Sequence, residues 1–250
     1  MPHSVGLSDR YLGPMPAPKA VLLDVGGIFH LPDHDRIRAA FERAEFTVNT
    51  DVLDRAHYAG AAQFTVDDDV EIDWKARWQR YLDAYVTECG VPDSGPTRDE
   101  VHTHLDSEFA VGDLWSRIIP GSVDGLRALV ATGVRVGIIS NADGSVAQRL
   151  AAQEVLQVGP GLGVDVACVI DSGAVGVAKP DPRIFHIALD AIGIAATDAW
   201  YVGDMPGIDV VGARAAGLWP IVMDPYDFQA GVDYHRVKSL TDVAELVTAS

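Results

Sequence analysis

The stretch Ala20-Val21-Leu22-Leu23-Asp24-Val25-Gly26-Gly27-Ile28-Phe29 decides how the chain is read. An apolar run ends in a carboxylate, and two glycines follow. That is the pattern of a buried strand carrying one charged group to its C-terminal tip, then turning sharply. A carboxylate in such a place is costly unless it meets a cation or a set of donors. The sequence therefore asks what Asp24 meets, and why glycine stands at position 26.

Beyond Pro120, strands and helices alternate. Val134–Ser140, Val164–Ile170, Ala199–Gly203 and Trp219–Met223 read as strands. Val123–Ala131, Ser145–Ala152, Pro182–Ile192, Ile208–Ala216 and Asp242–Thr248 read as helices, with proline in the first turn at 182 and glycine closing at 217. The pattern predicts an α/β fold: a Rossmann-like parallel sheet with helices on both faces. Between Leu31 and Ser116 the chain reads as helical throughout, with starts at Asp33 and Thr50-Asp51, a long helix from Asp69 to Cys89, and a capping box of Thr97 and Glu100. The expected organisation is a core made of residues 19–31 and 117–250, an all-helical insertion over 32–116, and a flexible N-terminal arm over 1–18.

Bulk properties narrow the function. A formal net charge of -17 argues against a nucleic-acid partner, which needs a basic face, and against anionic membrane surfaces. A small anionic ligand stays open, because one local cation can override the global field. The two cysteines, Cys89 and Cys168, form no metal-binding pattern and suit a reducing cytosol. Neither a signal peptide nor a membrane span is expected, so a cytoplasmic location is.

In a parallel sheet, ligands bind at the carboxyl ends of the strands. Asp24, Ser140-Asn141 and Gly203-Asp204 all end apolar runs, and Lys179-Pro180-Asp181-Pro182 lies just before a helix. Asp24, Asp204 and Asp209 would converge there and repel one another unless a cation joins them. Magnesium fits such a set of hard oxygens. Ser140 and Lys179 suit a phosphate, one by a hydroxyl bond and one as a point charge.

In this order, Asp24-Val25-Gly26-Gly27-Ile28, Ser140-Asn141, Lys179-Pro180 and Gly203-Asp204-Met205-Pro206-Gly207-Ile208-Asp209 resemble the four motifs of the haloacid dehalogenase-like (HAD) hydrolase superfamily. The insertion then corresponds to that family's helical cap. The resemblance implies a magnesium-dependent phosphatase hydrolysing a small phosphorylated metabolite. Asp24 would be the nucleophile, passing through an aspartyl phosphate. Ser140, Asn141, Lys179 and Gly27 would hold the phosphoryl group. Asp24, the Gly26 carbonyl, Asp204 and Asp209 would serve the metal. The departure is Gly26, where most of the family's phosphatases carry an acid–base Asp. His30 and Asp33 are candidate substitutes. A non-catalytic or regulatory phosphate-binding protein is an alternative, and so is a haloacid dehalogenase, which the extra carboxylates Asp204 and Asp209 count against.

Other features have plainer readings. Trp74, Trp78, Tyr81 and Tyr85 recur at helical spacing and read as interior of the insertion, with a substrate wall as the lesser option. Lys75 and Arg77 read as solvated. His102 and His104 stand two apart on a helix, face different sides, and read as structural rather than as a metal pair. Asp67-Asp68-Asp69 reads as an acidic helix start.

Overall fold

The computed structural model describes residues 11, 15–66, 74–111 and 113–250. The acidic helix start at 67–69 lies outside them.

The chain enters through strand β1 (Ala20–Leu23), fully buried along its length. A short strand β2 (His30–Pro32) leads into helix α1 (His34–Arg43), whose first turn is capped by the Asp33 carboxylate accepting from the Arg36 amide. Helices α2 (Leu53–Ala61), α3 (Trp74–Glu88) and α4 (Pro96–Phe109) follow. Strand β3 (Trp115–Ile118) returns the chain by pairing antiparallel with β2. The rest alternates: α5 (Ser122–Ala131), β4 (Arg135–Ser140), α6 (Val146–Ala152), β5 (Leu156–Gln157), β6 (Val164–Asp165), β7 (Cys168–Asp171), α7 (Ser172–Val175), α8 (Pro182–Ile192), β8 (Ala199–Gly203), α9 (Pro206–Ala216), β9 (Trp219–Met223), β10 (His235–Val237) and α10 (Leu240–Ala249).

Six strands form one parallel sheet in the order β10-β9-β8-β1-β4-β7. β1 lies at its centre between β8 and β4. Strand residues alternate between two faces. Val21 and Leu23 join Val136, Ile138, Trp200 and Val202 under the buried side chains of α5 and α10. Leu22 joins Ile139 and Tyr201 against α8, through Ile184, Phe185 and Leu189. A third apolar cluster belongs to the insertion: Ile37 and Phe41 of α1, Leu53 of α2, Tyr81 and Tyr85 of α3, and Leu105 of α4. Its helices therefore bury their own stripes rather than borrowing the sheet.

Several local expectations need correction. The two-stranded β2–β3 stem lies where the sequence suggested no strand, because segments of three and four residues are too short for a pattern to show. Helix α4 starts at Pro96 behind Gly95, with no side-chain cap, so Thr97 and Glu100 form no capping box. The single strand read over Val164–Ile170 is two. Val166 donates to Gln157, and the next amide, Ala167, donates to Val136, so the chain changes sheets between them. Edge strand β10 carried no apolar run to announce it. Two described residues of the N-terminal stretch are held against the core. Tyr11 is buried with its ring edge-on to Trp219, and the Pro16 carbonyl accepts from the Trp200 indole.

Candidate active site

The carboxyl ends of β1, β4 and β8 open on one cavity of about 450 Å³. Asp24, Gly26, His30, Ser140, Asn141, Lys179, Asp204 and Asp209 line it, together with Phe109 and Trp115 from the insertion side. Residues spread over 185 positions of sequence thus meet because the sheet order places β1 between β4 and β8.

Lys179 is at the centre. Its ammonium is buried and contacts Asp24 Oδ2 at 2.7 Å, Asp209 Oδ1 at 2.8 Å and the Tyr201 hydroxyl at 2.7 Å. Burial works against that charge, but Asp209 and Asp24 outweigh it and hold the Lys179 pKa above its ordinary value. The loop carrying Lys179 is pinned by Asn141, whose side chain donates to the Lys179 carbonyl (2.9 Å) and accepts from the Lys179 amide (2.8 Å). Both ends of that amide are spent on positioning.

Asp24, Asp204 and Asp209 each offer a ligand atom within 4.8 Å of the others. Burial pushes the Asp24 carboxyl up to about 7; Lys179 pulls against that rise, while Asp209 and Asp204 add to it. Asp204 is raised by burial as well, with His57 opposing. Asp209 is bound on both oxygens. Oδ1 accepts from Lys179 and from Tyr201 (2.9 Å), and Oδ2 accepts the amides of Asp204 (3.1 Å) and Met205 (2.9 Å). It fixes the turn after β8 and the lysine at once. Tyr201, held protonated by burial and the neighbouring carboxylates, is a further donor in this cluster.

The turn after β1 is built tightly. The Val25 carbonyl accepts from Ile28, Phe29 and His30, and Gly27 donates to the His30 carbonyl. None of these four bonds uses the Gly26 carbonyl. Gly27 has φ of 65°, and a Cβ there would run into the Asp204 side chain. Its amide is spent on His30, its carbonyl accepts from Tyr58 (2.7 Å), and it lines a different cavity. The expected phosphate contact at Gly27 is therefore corrected: this glycine makes room and turns the chain.

Of the two substitutes for an acid at position 26, the structure separates one. The Asp33 carboxylate caps α1. His30 is buried, lines the cavity, and has no hydrogen-bond partner at Nε2. The four aromatics of α3 do not line the cavity: Tyr81 and Tyr85 are interior, and Trp78 stacks on Tyr81. Lys75 is exposed, but Arg77 is buried and donates to the Thr65 carbonyl, contrary to the solvated reading. His102 pairs with Asp83 and His104 is not part of any acidic or metal-like cluster among the described residues.

Three groups were not legible as site residues. Asp171, at the end of β7, accepts the amides of Gly144, Val146 and Gly173, so the start of α6 is occupied by a side chain rather than open to an anion. Tyr201 looked like one more apolar strand residue. His57 sits within Ala56-His57-Tyr58-Ala59, and nothing local says that its Nε2 meets Asp204 Oδ2 at 2.7 Å.

This parallel sheet, with an acidic cluster and a buried lysine at its strand tips, defines a class of hydrolase. The haloacid dehalogenase-like hydrolase family model matches residues 18–217, and the chain belongs to that family. Among its relatives, a phosphoserine phosphatase of Thermus thermophilus is 46% identical over 90 residues, 34% of this chain and 36% of that protein. A phosphoglycolate phosphatase of Rhodospirillum rubrum is 34% identical over 111 residues, 44% of this chain and 43% of that one. The chain thus spans less than half the length of these relatives. The HAD-hydrolase YfnB of Bacillus subtilis, in a structure bound to magnesium, superposes with a TM-score of 0.53 at 16% identity, covering 93% of this chain and 100% of that one. That likeness concerns the fold. No helix among the described residues is long and apolar enough to cross a membrane.

Proposed function

We propose that the protein is a magnesium-dependent phosphohydrolase acting on a small phosphorylated metabolite in the cytoplasm, with Asp24 as nucleophile. The observation that carries this reading is the buried Lys179 ammonium held between Asp24 and Asp209 beside Asp204, in a cavity that also exposes Ser140. The names of the two phosphatase relatives point to small phosphorylated acids, and a cavity of about 450 Å³ suits that size.

The donor set fits a divalent cation. Three carboxylates against one ammonium leave two negative charges in a buried site of hard oxygen donors. Asp24, Asp204 and the Gly26 carbonyl would hold the ion. Asp209, with two donors already on each oxygen, would support it by fixing Asp204 and Lys179. A magnesium ion there supplies Lewis-acid polarisation of the phosphoryl oxygens.

The chain's own residues then divide the work. An Asp24 oxygen attacks phosphorus, the ester oxygen leaves with the bonding pair, and an aspartyl phosphate forms. Water breaks that anhydride, releasing inorganic phosphate and regenerating Asp24. Lys179 and Ser140 contact the transferring oxygens. The helical insertion serves as a cap over the cavity, with the β2–β3 stem as its hinge. The leaving oxygen needs a proton that position 26 cannot give. His30, which lines the cavity with Nε2 unpartnered among the described residues, would supply it; burial, partly offset by Gln153, lowers its pKa.

The test uses p-nitrophenyl phosphate with magnesium, and Asp24→Asn as the control. Wild-type turnover should exceed that of the variant by several orders of magnitude. Turnover equal to the variant's across a panel of phosphate esters would replace the enzyme reading with a non-catalytic phosphate-binding one, which Gly26 favours.

A further inference from the structure

His57 is fully buried, lies on α2 of the insertion, and reaches across to the core. Its Nε2 is 2.7 Å from Asp204 Oδ2 and its Nδ1 is 2.9 Å from the Tyr81 hydroxyl. In a neutral imidazole this geometry has one proton arrangement: Tyr81 donates to Nδ1, and Nε2 donates to the carboxylate. The ring is held edge-on by Tyr58 at 4.9 Å and Trp115 at 5.2 Å. Tyr81 is stacked on Trp78 at 4.7 Å and lies in space left by Gly60, whose missing Cβ would overlap its ring. Every member of the chain Trp78–Tyr81–His57–Asp204 is thus fixed by the next.

Asp204 is gripped from the other side as well. Its carboxylate occupies the space a Gly27 side chain would need. With Oδ2 committed to His57, Oδ1 has no hydrogen-bond partner among the described residues. The insertion meets the same turn again three residues on: Gly207 donates to the Phe64 carbonyl at 2.5 Å, and a Cβ at 207 would strike Arg77.

We propose that His57 is a positioning residue for the metal, which fixes the Asp204 carboxylate with Oδ1 turned over to the ion and thereby makes metal affinity depend on closure of the insertion over the core. The inference rests on the metal-dependent reading above. Carboxylates and imidazoles that orient a metal ligand typically change its affinity by about 10- to 100-fold when removed. Because the orienting group here comes from the insertion and the ligand from the core, an open insertion leaves Asp204 without it.

Magnesium binding to the whole chain by titration calorimetry, and the thermal shift that magnesium produces, test this directly. His57→Ala should weaken magnesium binding about 10- to 100-fold, and His57→Gln should restore part of it. Tyr81→Phe removes the hydroxyl that sets the tautomer while keeping the stacked ring, and should weaken binding in the same direction. Tyr85→Phe removes another buried hydroxyl from the same cluster without touching His57, and should leave affinity unchanged. If the wild type binds magnesium and both His57→Ala and Tyr81→Phe bind it as tightly, or if Tyr85→Phe weakens it equally, the positioning role is overturned. Absence of magnesium binding by the wild type would remove the metal reading itself, and this inference with it. Should His57→Ala not fold, Tyr81→Phe decides the matter.

Discussion

Lys179→Met removes the only described cation within the acidic cluster while keeping an unbranched side chain of similar length. The loss can be sized from the structure. The ammonium is buried and satisfies Asp24, Asp209 and the Tyr201 hydroxyl at 2.7–2.8 Å. Deleting one partner of a buried pair leaves an uncompensated charge and costs about 3–5 kcal/mol. In a chain of this size that corresponds to a fall in melting temperature of roughly 6–20 °C. Asp209 keeps three other donors among the described residues, so most of the cost falls on Asp24, whose one other described partner is the Val25 amide at 2.7 Å. Asp24 can escape by taking up a proton, since burial already raises it to about 7. The measurement therefore belongs at about pH 8, where protonation itself costs free energy, and in chelator, so that no metal replaces the lysine. Urea unfolding of wild type, Lys179→Met, Asp24→Asn and the double variant gives the cycle. The double variant should recover at least about 1 kcal/mol of the Lys179→Met loss, within the usual range for contacting residues. A loss below about 1 kcal/mol for Lys179→Met, typical of an exposed pair, would refute the reasoning. So would a double variant no more stable than Lys179→Met alone.

Gly26→Asp tests the missing acid. A Cβ at 26 meets only Trp115 ring carbons at 3.7 Å, and the glycine does not have a positive φ, so the site accepts a side chain. Turnover of alkyl phosphates, whose leaving groups need a proton, should rise by up to about 10²-fold, with little change on p-nitrophenyl phosphate; a gain equal on both substrates would count against this account. His30 gives the pH dependence. Its folded pKa is lowered from 6.5 by burial, so the unfolded chain binds the proton more readily, and stability present above that value is lost as pH falls through the lowered folded value. Unfolding free energy of His30→Gln should therefore drop less than that of the wild type between about pH 7.5 and pH 5. Equal slopes in the two proteins would show that His30 is not buried as described.

Sheet and site were legible to different depths for physical reasons. β1, β4, β8 and β9 are buried on both faces, and a strand buried on both faces writes itself as an apolar run. Polar residues at the tips of such runs stand out because burial makes them costly, as Asp24, Ser140 and Asp204 do. The same logic fails for a side chain that is costly but surrounded by ordinary apolar sequence. His57 and Tyr201 look like interior residues because they are interior; their significance lies in which carboxylate each meets, and that is set by how the insertion docks and how β8 faces α9. Gly27 shows the opposite error. The motif made it a phosphate ligand, yet its backbone is consumed by His30 and Tyr58, and its missing side chain is what Asp204 requires. A motif records which residue types recur together and leaves open which of their atoms are free. At this site the engaged atoms separate the roles: each Asp209 oxygen accepts two donors and supports, each Asp24 oxygen accepts one, from the Val25 amide and from Lys179, and Asp204 Oδ1 accepts none among the described residues.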